Sequence, residues 1–161
     1  METSPLTNGA GVLALTAPTA RSPELPAPIS EGTARLLGAV AIFGVGLIHI
    51  LDAVSTYHST RWIFWAYIVL VAAALPVAMA LIHWSSSLAW AAAAAVAAGP
   101  LVAYLWSRTI GLPGDAPDIG NWLCTLGMSA LFVESSLLAL SATRFSLGYR
   151  RAASATPALR S

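Results

Sequence analysis

WIFWAYIVLVAAALPVAMALIHWSSSLAWAAAAAVAAGPLVAYLWS, from Trp62 to Ser107, runs for 46 residues without an Asp, Glu, Lys or Arg. As one helix it would be about 69 Å long, whereas the hydrocarbon core of a bilayer is about 30 Å thick. The run must therefore turn back once. HWSSS, His83 to Ser87, is its polar interruption and the expected turn. Spans are predicted over 61–83 and 88–107, with a third before them over 33–54 and a fourth after them over 121–143. Each is about 20 residues, the length a bilayer demands, and a helix satisfies its own backbone groups in lipid. The expected fold is all-α, an integral membrane four-helix bundle.

Composition agrees. The 161 residues are 57 % apolar and only 9 % charged, with a mean hydropathy of +0.73. A soluble domain carries about 25 % charged residues, so this chain cannot cover a water-facing surface of ordinary polarity. The expected surroundings are a lipid bilayer. A net charge of +1 is too small to point to nucleic acid. Cys124 is the one cysteine, which excludes an intramolecular disulfide.

The two ends read differently from the middle. Residues 1–32 hold five prolines and three glutamates, a composition that cannot build a core, and disorder is expected there. GVLALTA, Gly11 to Ala17, has the apolarity of a signal-peptide core. Glu2 and no basic residue precede it, however, so a cleaved signal is not expected. Residues 144–161 read as a basic, unstructured tail.

Orientation follows from the arginines. Arg21, Arg35, Arg144, Arg150, Arg151 and Arg160 fall on the side shared by both termini, against Arg61 and Arg108 on the other. The positive-inside rule then places both termini in the cytoplasm and the protein in the cytoplasmic membrane.

A chain this sparing with ionisable groups clusters several of them in LIHILDAVSTYHSTRW, Leu47 to Trp62. His49 and Asp52 are three residues apart and share a helix face, which Gly38, Ile42 and Val45 continue. Asp52 either orients the His49 ring near the headgroups or serves as the partner of a ligating or proton-carrying imidazole. His58 and Arg61 follow in what reads as a short loop. A metal ion or haem held by His49 and His58 is one expectation.

Glu134, in LFVESSL, falls near the middle of the fourth span, where charge is expensive and usually marks function. Gly127, Glu134 and Ser141 recur every seven residues with Ala130 alongside, which turns Glu134 inward. Tyr67, Tyr104 or a serine are its expected hydrogen-bond partners. On these boundaries Glu134 and His49 differ in depth by about 11 Å, so direct contact is not expected.

The connection SRTIGLPGDAPDIGNW, Ser107 to Trp122, reads as defined turns rather than a flexible linker. Asp118 or Asn121 is the expected cap of the fourth helix. Arg108 is placed to pair with a carboxylate or a lipid phosphate. Pro76 and the Gly99-Pro100 pair are expected to bend their helices. The tryptophans fall mostly near the span ends, as an aromatic belt should.

HILDAVSTYH, SRTIGLP after the third span and Glu134 in the fourth together resemble a group of small actinobacterial four-helix membrane proteins with no assigned activity. The resemblance covers about 36–142. The group often has Pro-Glu-His at the second histidine, where this chain has Thr56, Tyr57 and His58. The resemblance implies the four-helix membrane fold and no particular chemistry.

No phosphate loop, nucleophile elbow, CxxC, CxxCH or HExxH is present in the sequence. Three functional readings follow. One is a polar site on the extracytoplasmic face, built from His49, Asp52, Arg61, Arg108 and Glu134, that binds a small ligand or metal ion or serves an accessory subunit of a larger membrane complex. Another is a membrane haem or metal redox component or enzyme. The third is proton-coupled transport through a homo-oligomer, with Glu134 as relay.

Overall fold

The computed structural model describes residues 29–84 and 86–155, with side chains through residue 147. Four helices make up the fold: α1 (Glu31–Ser59), α2 (Arg61–His83), α3 (Ser87–Thr109) and α4 (Thr125–Ala155). A single 3-10 turn, Ala116–Asp118, lies between α3 and α4, and no strand occurs among the described residues. All four helices are long and apolar enough to cross a membrane. The chain is a multi-pass membrane protein on that ground.

The turn at His83 to Ser87 falls where the polar interruption places it. Ser86 caps α3, its hydroxyl accepting from the Ala89 amide at 3.1 Å, and Ser30 caps α1 through Thr33 at the same distance. α2 starts at Arg61 as expected, whereas the limits of the other helices shift. α1 runs to Ser59 rather than Val54, so His58 is helical and Thr60 alone links α1 to α2. The polar run after Asp52 stays helical, and its hydroxyls bond back to the preceding turn. Ser55 donates to the Asp52 carbonyl at 2.7 Å and Thr56 to the Ala53 carbonyl at 3.1 Å.

α4 starts at Thr125, four residues later than expected, and continues through Ala155. The basic segment 144–155 is therefore helical rather than unstructured. Glu31 and Gly32, expected to be disordered, form the first turn of α1. Residues 1–28 and 156–161, with the remaining expectations for the termini, lie outside the described residues.

Helices α1 and α2 pack closely as an antiparallel pair, as do α3 and α4, and the two pairs meet through α1 with α4 and α2 with α3. The core holds few large side chains, Ile42, Val45, Leu81, Trp90 and Leu137 among them, set between buried alanines such as Ala34, Ala78, Ala93 and Ala97. Small residues let the backbones approach, which is how helices gain packing energy in lipid. Gly38 is such a contact: a Cβ there would lie 3.0 Å from Leu81 and 3.2 Å from the Trp90 ring. Trp90 is thus a core residue and not part of an aromatic belt. Large apolar side chains such as Phe43, Leu47, Leu51, Val69, Leu75 and Phe132 point outward instead. Water would not tolerate such a surface, and hydrocarbon does.

Two arginines fasten the end of the bundle that carries the termini. Arg35 donates through Nε to the Leu81 carbonyl at 2.7 Å and through its terminal nitrogen to that of Ile82, closing the end of α2. Arg144 on α4 pairs with Glu31 at 3.1 Å and donates to the carbonyls of Ile29 and Ser30.

Candidate functional site

The opposite end of the bundle is closed by the connection between α3 and α4. Gly111, Gly114 and Gly120 take φ values of 89°, 80° and 79°, the left-handed region that glycine enters at little cost. The resulting turns carry their carbonyls back to the helices. Trp62 donates from its indole nitrogen to the Pro113 carbonyl at 2.8 Å, and Thr60 from its hydroxyl to that of Gly114 at 3.3 Å. Tyr104 donates to the Trp122 carbonyl at 3.0 Å. The Tyr104 ring sits where Gly127 lacks a side chain, so a Cβ at that glycine would overlap it.

Arg108 anchors the same connection. It is 7 % exposed, pairs through Nη1 with Asp118, and lies 4.7 Å from the centre of the Tyr104 ring. Its expected pairing with a carboxylate is thereby met. Asp118 is consequently not the cap of α4, and neither is Asn121. The residue before α4 is Cys124, whose thiol accepts from the Gly127 amide at 3.1 Å. Asp115 is outside the helices and half-exposed. Partial burial, with the nearby Asp118 carboxylate adding to it, pushes the Asp115 carboxyl above its ordinary value, and Arg108 opposes the rise.

Between this connection and the middle of the bundle lies a cavity of about 570 Å³, lined by all four helices. His49, Asp52, Arg108 and Glu134 all line it, joined by Tyr67, Tyr104, Asp115, Asp118 and Cys124. Four of the five expected site residues therefore share one space. Arg61 does not. It is exposed and stands 5.7 Å from the Tyr57 ring on the outer side of the helix junction.

His49 and Glu134 meet at the cavity floor, with Nε2 3.6 Å from Oε1, against the expectation that they stay apart. The reason is register. His49 lies ten residues below the last residue of α1, and Glu134 nine below the first of α4, or about 15 Å and 14 Å of helix rise. An α1 that ended at Val54 and an α4 that began at Asn121 would displace the two in opposite directions.

At 3.6 Å the contact is long for a hydrogen bond but close enough for charge attraction if the imidazole is protonated. Nδ1 of His49 lies 2.9 Å from the Val45 carbonyl. A carbonyl only accepts, so Nδ1 carries the hydrogen and Nε2 faces Glu134 as the titrating nitrogen. Glu134 is 1 % exposed, and neither of its carboxyl oxygens has a hydrogen-bond partner. Its expected partners are engaged elsewhere. Tyr67 donates to Asp52 at 2.9 Å, Tyr104 to Trp122, and Ser141 to the Leu137 carbonyl at 2.9 Å. The inward face of α4 is otherwise as expected, with Ala130, Glu134 and Ser141 all buried.

Asp52 does not hold the His49 ring. Its carboxylate takes the Tyr67 hydroxyl and, at 3.3 Å, that of Ser55. Tyr67 stands edge-on against His49 with ring centres 5.0 Å apart. One tyrosine thus touches both residues and fixes their spacing. The sequence signal for this was the depth of Tyr67 in α2, readable only once the end of α1 is placed correctly. The capping role of Cys124 carried no comparable signal, because serine, threonine, aspartate and asparagine are the residues that announce a cap.

The paired-histidine metal site is not formed. His58 is exposed and stacks edge-on with Tyr57, nine residues along α1 from His49 and outside the cavity. Nine residues amount to two and a half helical turns, which puts the two imidazoles on opposite faces. Among the described residues no three His, Cys, Asp or Glu side chains converge as metal ligands.

No protein-family model, curated protein or solved structure matches this chain.

Proposed function

We propose that the chain is a multi-pass protein of the cytoplasmic membrane that binds a small polar ligand in the cavity between its four helices. Both termini would lie in the cytoplasm, with the α3–α4 connection and the cavity mouth on the outer face. The arginine distribution supports that orientation. One observation carries the binding reading: Glu134, fully buried and without a hydrogen-bond partner, forms part of the wall of a 570 Å³ cavity. A buried polar group left unsatisfied costs about 1–3 kcal/mol, a cost that a ligand donor group would remove. The size suits the reading, since small-molecule pockets run from about 300 to 1,000 Å³. The donor set favours an organic ligand over a tightly held metal or haem, because His58 is turned away from His49.

The test is thermal unfolding of the detergent-purified full chain with inorganic phosphate, succinate, glucose and phenethylammonium added separately. At least one should raise the midpoint, as a ligand at 100 times its Kd stabilises by about 2.7 kcal/mol. The same addition should do nothing to Ala130→Phe, which fills the cavity from α4. No shift with any probe, or a shift that survives Ala130→Phe, rejects the reading.

A further inference from the structure

The ionisable groups around the cavity do not balance. Asp52, Asp115, Asp118 and Glu134 face it, against one permanent cation, Arg108, which is already committed to Asp118. Acidic residues alone would define nothing, since Asp52 is satisfied by Tyr67 and Ser55. Glu134 is the independent observation: 1 % exposed, both oxygens unpartnered, and part of the cavity wall.

The pair at the floor has a defined proton inventory. With Nδ1 of His49 donating to Val45, the exchangeable positions are Nε2 of His49 and the carboxyl of Glu134. One proton on these two groups makes the pair neutral, and none leaves it with one negative charge. An uncompensated charge at such depth costs several kcal/mol, so removing that proton requires another cation in its place. The groups facing the pair from the other elements do not supply one. Tyr67 on α2 is bound to Asp52, Tyr104 on α3 to Trp122, and Arg108 to Asp118. Asp115 and Asp52 add negative charge nearer the mouth.

Resting on the ligand-binding reading above, we infer that the ligand is a small organic ammonium ion whose N–H groups bond to the Glu134 carboxylate, and that it binds by displacing the proton shared by His49 and Glu134. The aromatic ring of Tyr67 lines the same space and suits a cation bearing an apolar group. The proton leaves through the cavity to water, so one positive charge enters as one departs.

The experiment is isothermal titration calorimetry of the full chain in detergent, in phosphate and in HEPES, whose differing ionisation enthalpies count protons. The probes are ethylammonium, phenethylammonium and the diammonium ion of 1,4-diaminobutane, each beside its neutral alcohol: ethanol, 2-phenylethanol and butane-1,4-diol. At least one ammonium should bind more than tenfold tighter than its alcohol, release about one proton, and weaken about tenfold per pH unit on acidification. Glu134→Gln should abolish both the preference and the release. The proton count on the unaltered protein stands even if that variant fails to fold. An alcohol binding as tightly as its ammonium, blocked by Ala130→Phe, would leave the cavity a ligand site and overturn the cation inference. Ammonium binding without proton release overturns the exchange. If none of the six binds, the cation inference falls; a response to phosphate, succinate or glucose in the thermal test would then still preserve the broader reading.

Discussion

The hydroxyl of Tyr67 donates to Asp52 at 2.9 Å, tying the second helix to the first at the level of the cavity. Removing that donor leaves a half-buried carboxylate oxygen with a weaker set of partners. Tyr67→Phe should lower stability by about 0.5–2 kcal/mol, read as a fall in the thermal midpoint in detergent. Asp52→Asn keeps an oxygen that can accept and should cost less. Equal losses for the two variants would show that the bond contributes through charge rather than through the donor.

Two glycines of similar burial should respond in opposite ways to the same change. In Gly127→Ala the new methyl overlaps the Tyr104 ring and approaches the Cys124 sulfur to 2.9 Å. Overpacking of that kind costs about 1–3 kcal/mol. Gly46→Ala meets nothing within 4 Å and removes a flexible residue from the middle of α1. It should stabilise by about 0.5–1 kcal/mol. Thermal melts of both variants, side by side, decide the matter.

Asp115 gives the connection a pH dependence whose sign is fixed by its raised carboxyl. The folded chain holds the Asp115 proton more tightly than the unfolded chain does, because burial and Asp118 disfavour the charge. This contribution to stability is therefore full below the ordinary carboxyl value of 3.8 and declines as pH rises through the raised one. Asp115→Asn should be more stable than the parent at pH 7, with the advantage fading in acid. Melts across pH 4 to 7 measure it. Because Asp115 is half-exposed, added salt should shrink the difference.

Cys124 offers a test of orientation. It lies at the cavity end of the bundle, half-exposed, and is the one cysteine of the sequence. A membrane-impermeant maleimide should label it in intact cells if that end faces outward. Ser87→Cys in a Cys124→Ser background, at the opposite end, should be labelled only after the membrane is opened. The reverse pattern would invert the topology.

The number and approximate limits of the helices were legible in the sequence because the bilayer sets a length and the charge-free run exceeds it once. The inward faces were legible too. Gly38, Ile42, Val45 and His49 on α1, and Ala130, Glu134 and Ser141 on α4, follow helical spacing and are buried as that spacing requires. Helix period is a local property, and one chain segment suffices to show it.

What tertiary structure decided was depth and partnership. Hydropathy marks where a segment becomes polar, not where its helix stops. α1 continues five residues past the expected end, with its hydroxyls bonded to their own helix, and α4 waits for turns built on Gly111, Gly114 and Gly120. At about 1.5 Å of rise per residue, those shifts are what bring His49 level with Glu134. Pairing adds a second kind of information. Arg108 selects Asp118 and Tyr67 selects Asp52 because the packing of four helices places them within reach, leaving Glu134 with neither as a hydrogen-bond partner. Composition and helical spacing dictate four apolar helices and their buried faces. Assembly alone sets which buried polar groups satisfy one another and leaves the Glu134 carboxyl facing an open cavity without a hydrogen-bond partner.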